Sequence, residues 1–532
     1  MASPRPRRGN SAVSYGLLWA LSCVLLVTLR FCPHRPIVAT ARNSVKSQIY
    51  DDQNFISNAA PSGKATLSLV ESLPVGDFEL PSTVSQTFEV LTRHVEAATT
   101  SIDLSAMYWN LLGEEDRKTF SALEMSKFGA DRGTQLLFAL QNAASRGVKI
   151  RILTGPQQGG GTTSLPREVQ LLVDGAPEYV IARCWSGSEW YGSGVLHQKM
   201  WIFDSRHIYV GSANMDWKSL AQVMEMGVMM ENLASTSDVF QDIQYLFETW
   251  WMFASSKVLP AKTATYFSEK FQHDLRVPVW SLYLPEVQRS EDPFRKAGFS
   301  ALGNISHQLQ TQFSTPGGVS ITAQIFVAAA PLEATAGHSR AFDEDALVYT
   351  ILSARSFVSL SVMDFAPFSM YTPGSLYWPA LNDALLASVY SKPKLRVRLL
   401  ISQWQHTSPQ VLEALATLQK QAELCQYTRA RCSGRLEIKI FQVPGWQNTT
   451  SGPGNKARWP SFTRVNHAKY IVTDTRANIG TSNMEWGYFY TTAGASVNTD
   501  HESTRVALEN VFERNWNSSY ARPLNEVLGG QH

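Results

Sequence analysis

Two stretches decide the fold: VLHQKMWIFDSRHIYVGSAN at residues 195–214 and RVNHAKYIVTDTRANIGTSN at residues 464–483. Each sets out a histidine, a lysine two residues on and an aspartate five residues after that, followed by a turn and Gly-x-x-Asn. The first copy is His197, Lys199, Asp204, Gly211 and Asn214; the second is His467, Lys469, Asp474, Gly480 and Asn483. A single His-x-Lys-x4-Asp is expected by chance in about a few per cent of chains this long and means little alone. Two copies, each closed by the same glycine and asparagine, mark a duplicated unit.

Other segments repeat around the pair. TSIDLSAMYW (100–109) matches RSFVSLSVMDF (355–365), and GVKIRILTG (147–155) matches KLRVRLLIS (394–402). Each is an apolar, β-branched run behind a helical pattern. FETWW (247–251) and FERNW (512–516) share a Phe-x-x-x-Trp spacing, which puts both rings on one helix face. Strand–helix–strand order in each half predicts an α/β protein of two pseudo-symmetric α-β-α lobes with mixed sheets and one active site at the lobe interface. The lobes are read as 66–280 and 320–525, with a polar connector at 281–319.

Of 532 residues, 44% are hydrophobic and 17% charged, which excludes wholesale disorder. A formal charge of +2 neither requires nor excludes a polyanionic substrate. Five cysteines without a CxxC argue against a disulfide scaffold, a zinc ribbon and thioredoxin-like chemistry. Cys425 and Cys432 are spaced to close a small loop in an oxidising lumen.

That lumen is suggested by the N-terminus. A tail at 1–14 carries Arg5, Arg7 and Arg8, and an apolar run from Tyr15 to Leu29 follows. Segment 15–33 reads as a signal anchor or a cleaved signal peptide, and 34–65 as a stalk. Either reading sends the remainder into the secretory pathway. Sequons at Asn304, Asn448 and Asn517 agree with glycosylation there.

Period-2 geometry divides the motif residues between two faces. His197 and Lys199 point together, as do His467 and Lys469, while Asp204 and Asp474 point away and are read as structural. Lysine offers a point charge to a phosphate oxygen, asparagine an N–H, and Ser212 or Thr481 a hydroxyl. Phosphate binding is therefore expected of Lys199, Lys469, Asn214, Asn483, Ser212 and Thr481. One neutral imidazole can attack phosphorus while the other, protonated, serves the leaving oxygen. With two lysines and two asparagines to stabilise the phosphate's charge, no metal or cofactor is required. Eleven residues beyond Asn214 lies Glu225, whereas Gly494 lies eleven beyond Asn483. A carboxylate that orients an imidazole favours His197 as nucleophile with Glu225 behind it, leaving His467 as acid and base.

These motifs resemble the phospholipase D superfamily, whose duplicated histidine–lysine–aspartate hallmark stands intact in both halves, over about 66–525. The resemblance implies a site at the lobe interface and a phosphohistidine intermediate. It also implies the same site residues: His197, His467, Lys199, Lys469, Asn214, Asn483 and Glu225. LVESLP (69–74), Tyr108-Trp109, GSANMDW (211–217), YWP (377–379) and VRLLIS (397–402) are similar to its lysosomal type II membrane branch, the phospholipases D three and four. That branch implies an endoplasmic reticulum–Golgi route to endolysosomes. Loops at 113–131 and 445–460 depart from the pattern and bear on substrate entry.

Two substrate classes follow from the resemblance: single-stranded nucleic acid degraded from the 5′ end, or a phospholipid headgroup. Tyr108 and Trp109, with Trp185 and Trp190 further off, are candidates for stacking bases. The N-terminal segment makes a membrane the expected partner. Because a duplicated chain supplies both half-sites, oligomeric state stays open, a homodimer included.

Overall fold

The computed structural model describes residues 63–157, 164–191, 193–254, 299–315, 317–372, 376–428, 432–450 and 456–529. The basic tail, the signal segment, nearly all of the stalk and connector residues 281–298 lie outside the described residues.

Two sheets carry the molecule. The first has eight strands in the spatial order Ser85–Gln86, Thr66–Ser72, Glu225–Glu231, His207–Gly211, Met200–Phe203, Ser101–Ala106, Lys149–Thr154 and Val180–Cys184. The second has ten, running Leu309–Ser314, Ser320–Ala330, Gly494–Thr499, Ala477–Gly480, Tyr470–Thr473, Phe357–Val362, Arg396–Gln403, Arg435–Gln442 and Ala521–Pro523. Ala341–Phe342 pairs beside Ser320–Ala330.

Six consecutive strands correspond between them. Ser101–Ala106 runs parallel to Lys149–Thr154, and that strand parallel to Val180–Cys184. On its other side Ser101–Ala106 meets the antiparallel run Met200–Phe203, His207–Gly211, Glu225–Glu231. Phe357–Val362, Arg396–Gln403 and Arg435–Gln442 are likewise parallel, and Tyr470–Thr473, Ala477–Gly480 and Gly494–Thr499 antiparallel. The mixed α/β architecture is therefore the expected one. Leu309–Ser314, within the stretch read as connector, is an edge strand of the second sheet. Its alternating burial was masked in the sequence by its polar residues, Gln310, Thr311 and Gln312.

Helices cover the sheets with faces set by their spacing. In Thr87–Ala97 the residues at Val90, Leu91, His94 and Val95 are buried, the i, i+1, i+4, i+5 pattern of an amphipathic helix. Asp238–Phe253 starts on Ser237, whose side chain accepts the Phe240 N–H. Phe247 and Trp251 stack at 5.9 Å, and Phe512 and Trp516 at 5.5 Å, as the shared spacing predicts. Each pair lies against an arginine at the same place in its sheet. Arg151 sits 5.0 Å from the Phe247 ring, and Arg398 sits 4.9 Å from Phe512.

Cys425 and Cys432 are paired as a disulfide with Cα atoms 5.5 Å apart. Asn448 and Asn517 are exposed. Asn304 is half-buried, its amide donating to the Ser339 carbonyl.

Candidate active site

The two motif strands meet across the sheets through a matched pair of backbone links. The His197 N–H donates to the Ala493 carbonyl (2.9 Å), and the Ala493 N–H to the Val195 carbonyl (2.9 Å). The His467 N–H donates to the Met224 carbonyl (2.8 Å), and the Met224 N–H to the Val465 carbonyl (2.9 Å). Ala493 and Met224 immediately precede equivalent strands, so each histidine is fixed by the opposite lobe. The imidazoles come to 6.3 Å between centroids, and both are buried.

Lys199 and Lys469 are also buried, each ammonium donating to the carbonyl of its own histidine, at 2.8 and 2.6 Å. Four basic side chains in one buried site disfavour one another's charge. Burial first, then the charges of Lys199, Lys469 and His467, holds His197 well below the ordinary imidazole range. Burial also pushes His467 down to about 4, the Glu225 carboxylate opposing and the lysines adding to the fall. Lys469 is lowered to about 7 by burial, against the pull of Glu225 and Asp364, and Lys199 is held well below the ordinary ammonium range by burial and the charge of Lys469.

Asn214 and Asn483 enter from the two sides. Among the described residues, Asn214 Oδ1, Asn483 Oδ1 and His197 Nδ1 are buried atoms without a hydrogen-bond partner. Asn483 Nδ2 donates to the Tyr488 hydroxyl (3.1 Å) and to Asp364 (3.2 Å).

Glu225 is where expectation and structure part. Its carboxylate faces His467 Nδ1, at 2.8 and 3.1 Å, and not His197. The cause is the strand crossing just described: Met224 pairs with the second motif, so the next residue points into the second lobe. The counterpart Gly494 begins the strand that approaches His197 and offers no carboxylate. A Cβ there would meet Ser482 Oγ at 2.3 Å, so no side chain fits that place without displacement. Tyr488 lies against His197 instead, ring centroids 4.9 Å apart, and the Thr481 backbone carbonyl is the polar group that favours a proton on that histidine.

Ser212 and Thr481 also differ from expectation. The Ser212 hydroxyl donates to Glu225 (2.6 Å), and Ser219 donates to the other carboxylate oxygen (2.8 Å), so the Ser212 hydroxyl is engaged by the carboxylate. Thr481 Oγ1 accepts the Ala495 N–H (3.0 Å). Both hydroxyls tie down the crossing strands.

The two aspartates behave as parity demands. Asp204 accepts the N–H groups of Thr99, Thr100 and Ser101 at 2.8–3.1 Å, and Asp474 those of Arg355 and Ser356 at 2.9 and 3.1 Å. Burial raises both pKa values, but these backbone donors outweigh it and hold them below the usual carboxylate range.

Of the proposed stacking residues, Tyr108 reaches the site: its hydroxyl donates to Asp216 (3.1 Å) and accepts from Asn214 Nδ2 (3.5 Å). Trp109 is buried in the core of the first sheet, and Trp185 is buried against Trp250, so neither offers a ring face. The Trp190 side chain lies outside the described residues.

Sequence reading missed Asp364 and Tyr488. Asp364 occupies the place in 355–365 that Tyr108 holds in 100–109, so aligning the repeats against each other would have found it. Tyr488 stands five residues beyond Asn483, as Ser219 does beyond Asn214.

Among the described residues, the group of side chains spaced for a metal ion is His94, His207 and Glu231, at the opposite end of the strands from the motif. Glu231 is engaged there by His94 (3.0 Å) and Arg93 (3.2 Å), and His207 Nδ1 accepts the Asn232 N–H (3.2 Å).

Two lobes of one topology, each delivering a histidine, a lysine and an asparagine to a shared interface, define an enzyme with a composite two-histidine site. Comparison with known proteins agrees. Residues 304–446 match the family model described as PLD3/4, PLD-like domain, and residues 91–251 match the one described as cardiolipin synthase, PLD-like domain. The chain is 32% identical to the probable phospholipase D F09G2.8 of Caenorhabditis elegans over 86% of itself and 70% of that protein. It is 30% identical to the 5′-3′ exonuclease PLD4 of Mus musculus (87% and 81%) and 28% identical to the 5′-3′ exonuclease PLD3 of Xenopus tropicalis (96% and 91%). The chain belongs to the phospholipase D superfamily. Within it, its likeness is to the group described as PLD3/4.

Proposed function

We propose that this chain is a lumenal phosphodiesterase that degrades single-stranded DNA or RNA from the 5′ end through a phosphohistidine. The observation that carries the chemistry is the pair of buried imidazoles 6.3 Å apart between two lysines. Relatives named as 5′-3′ exonucleases, similar over most of their length, support the substrate. The apolar segment at 15–33, as anchor or signal peptide, supports entry to the secretory pathway and passage to endolysosomes. Among the described residues no helix is long and apolar enough to cross a membrane.

Glu225 stands behind His467 and not behind His197, which favours His467 as the nucleophile. With Nδ1–H donated to Glu225, the Nε2 lone pair of His467 faces outward, and Glu225 stabilises the cation that forms when that nitrogen bonds to phosphorus. In the first step His467 Nε2 bonds to phosphorus, the bond to the leaving oxygen breaks, and His197 gives that oxygen its proton. In the second, His197 takes a proton from water as the water oxygen bonds to phosphorus and the phosphorus–nitrogen bond breaks. Lys199, Lys469, Asn214 and Asn483 hold the phosphate oxygens in both steps.

The test gives the purified protein a 5′-labelled single-stranded oligonucleotide and a fluorescent phospholipid at about pH 5–6. Oligonucleotide shortening from the labelled end is expected; lipid turnover alone sinks the reading. Denaturing quench should trap phosphate on the wild type and not on His467→Ala. On a diester with a nitrophenolate leaving group, which needs no proton, His197→Ala should still form the adduct and then stall. Phosphate trapped in His467→Ala reverses the roles.

A further inference from the structure

Outside the two motifs, the second lobe holds an aromatic cluster that the phosphodiester chemistry does not use. It starts at Asp364, whose carboxylate accepts from Asn483 Nδ2 (3.2 Å) and from the Trp404 indole N–H (3.4 Å). The Trp404 ring meets His406 edge-on at 4.7 Å and Phe462 at 6.0 Å, and the His406 and Phe462 rings lie 5.3 Å apart, 34° from parallel. One buried indole therefore separates the side chains at the phosphate site from an outer aromatic pair. His406 is exposed, and Phe462 is 54% exposed.

Phe462 is costly where it stands. Its φ is 56°, the left-handed region that bulky L-residues avoid, and most of its ring remains in water. The loop is held in this shape from beneath. Arg464, also at φ 56°, is fully buried and donates to the Pro444 carbonyl (2.6 Å) and to Gln222 Oε1 of the first lobe (3.2 Å). Its guanidinium lies 4.0 Å from the Trp459 ring, and the Arg464 N–H donates to the Gln222 carbonyl (3.0 Å). A strained backbone anchored so firmly, five residues before His467, presents a ring face at the rim of the site and little else. Strain maintained by its surroundings is a mark of function, and here the anchored group is an exposed flat ring.

We propose that Phe462, backed by His406 and Trp404, is a stacking platform for the nucleobase next to the phosphate being cleaved. The proposal rests on the nucleic-acid reading above and adds the surface that would hold the base. A planar base meets a planar ring without regard to its sequence, which suits an enzyme that removes every nucleotide in turn. The platform supplies affinity that does not depend on charge. It also replaces Trp109, which is buried.

The experiment uses the full chain and two oligonucleotides of one length, one with ordinary bases and one abasic in its terminal nucleotides. Phe462→Ala should raise KM on the first by about tenfold, since one stacked base is worth that order of affinity, with the loss in KM and not in kcat. On the abasic substrate wild type and Phe462→Ala should have the same KM, because the base that Phe462 serves is gone. Phe462→Tyr keeps the ring and should restore KM, and His406→Ala should show a smaller loss of the same kind. A melting temperature within the wild-type range separates these effects from misfolding, and Phe462→Tyr reports on the platform even where alanine disturbs the loop. An unchanged KM on the ordinary oligonucleotide, or an equal loss on both substrates, overturns the platform while leaving the exonuclease reading intact. Wild-type protein that degrades neither oligonucleotide but turns over phospholipid overturns both.

Discussion

Asp204 stands in the repeated motif, yet its carboxylate is engaged by the backbone beside it. It gathers three consecutive backbone N–H groups and the hydroxyls of Thr99 and Thr100, tying the hairpin turn to the strand beside it. Its pKa is depressed, so its contribution to stability is complete above the unfolded value and is lost as pH falls through the lower, folded one. At pH 5 it is still in place. Asp204→Asn keeps the shape but turns an acceptor toward N–H groups into a donor, and should cost about 1–3 kcal/mol, discounted for partial exposure. Chemical denaturation should show that loss while kcat/KM, taken well below the melting temperature, stays near the wild-type value. A normal denaturation midpoint with lost activity would place Asp204 in the chemistry. Strand parity alone was enough to read this residue, because its direction is decided by its own strand. The partner of Glu225 was not legible that way: it depends on a crossing between residues 224 and 466, which are 242 positions apart in sequence and carry no local signal. The hydroxyl of Ser212 was misread for the same reason, since its acceptor is that same carboxylate.

At the scale of elements, the duplication extends to how each sheet holds its covering helix. Arg151 lies in the strand Lys149–Thr154, bonds Asp103 (2.6 Å) and Glu248 (2.6 Å), and stacks on Phe247 and Trp251. Arg398 repeats this with Glu509 (2.7 Å), Glu513 (2.8 Å), Phe512 and Trp516. The copies differ in burial. Asp103 and Glu248 have side chains 10% and 15% exposed, against 17% and 36% for Glu509 and Glu513. Removing one partner of a buried pair strands the other charge, so Arg151→Met should cost about 3–5 kcal/mol. Arg398→Met should cost less, because water reaches Glu513. Equal losses by denaturation would mean that ring packing, and not charge burial, sets the cost. These elements were legible because their signals are local: β-branched runs for strands and a four-residue aromatic spacing for helices. The edge strand Leu309–Ser314 was not, since its side chains are mostly polar and its identity comes from pairing with residues 320–325.

The lobe interface buries both motif histidines and both motif lysines together, and their mutual repulsion bears on the pH at which the proposed chemistry can run. His467 must be neutral to attack phosphorus, and it is lowered to about 4; Lys469 must be charged to bind phosphate, and it is lowered to about 7. The pH profile of kcat/KM reports groups of the free enzyme, so it should rise through about pH 4 as His467 loses its proton and fall by about pH 7 at the latest, sooner where Lys199 or the proton donor His197, both held well below their ordinary ranges, deprotonates first. Such a window fits an acidic lumen. Glu225 ties the two limbs together, because its charge raises the pKa of His467 and of Lys469 alike. Glu225→Gln keeps an oxygen for His467 Nδ1 but removes that charge, so both limbs should move toward lower pH. The maximum should also fall, by about a hundredfold, as the imidazole loses the group that stabilises its cationic form. A general loss of stability would lower the maximum without moving the limbs, so the displacement separates electrostatic coupling from misfolding. If only the acid limb moves, Glu225 acts on His467 alone and another group sets the alkaline limb. If neither moves, the carboxylate is not the charge that joins the lobes, and the assignment of His467 as nucleophile loses its basis.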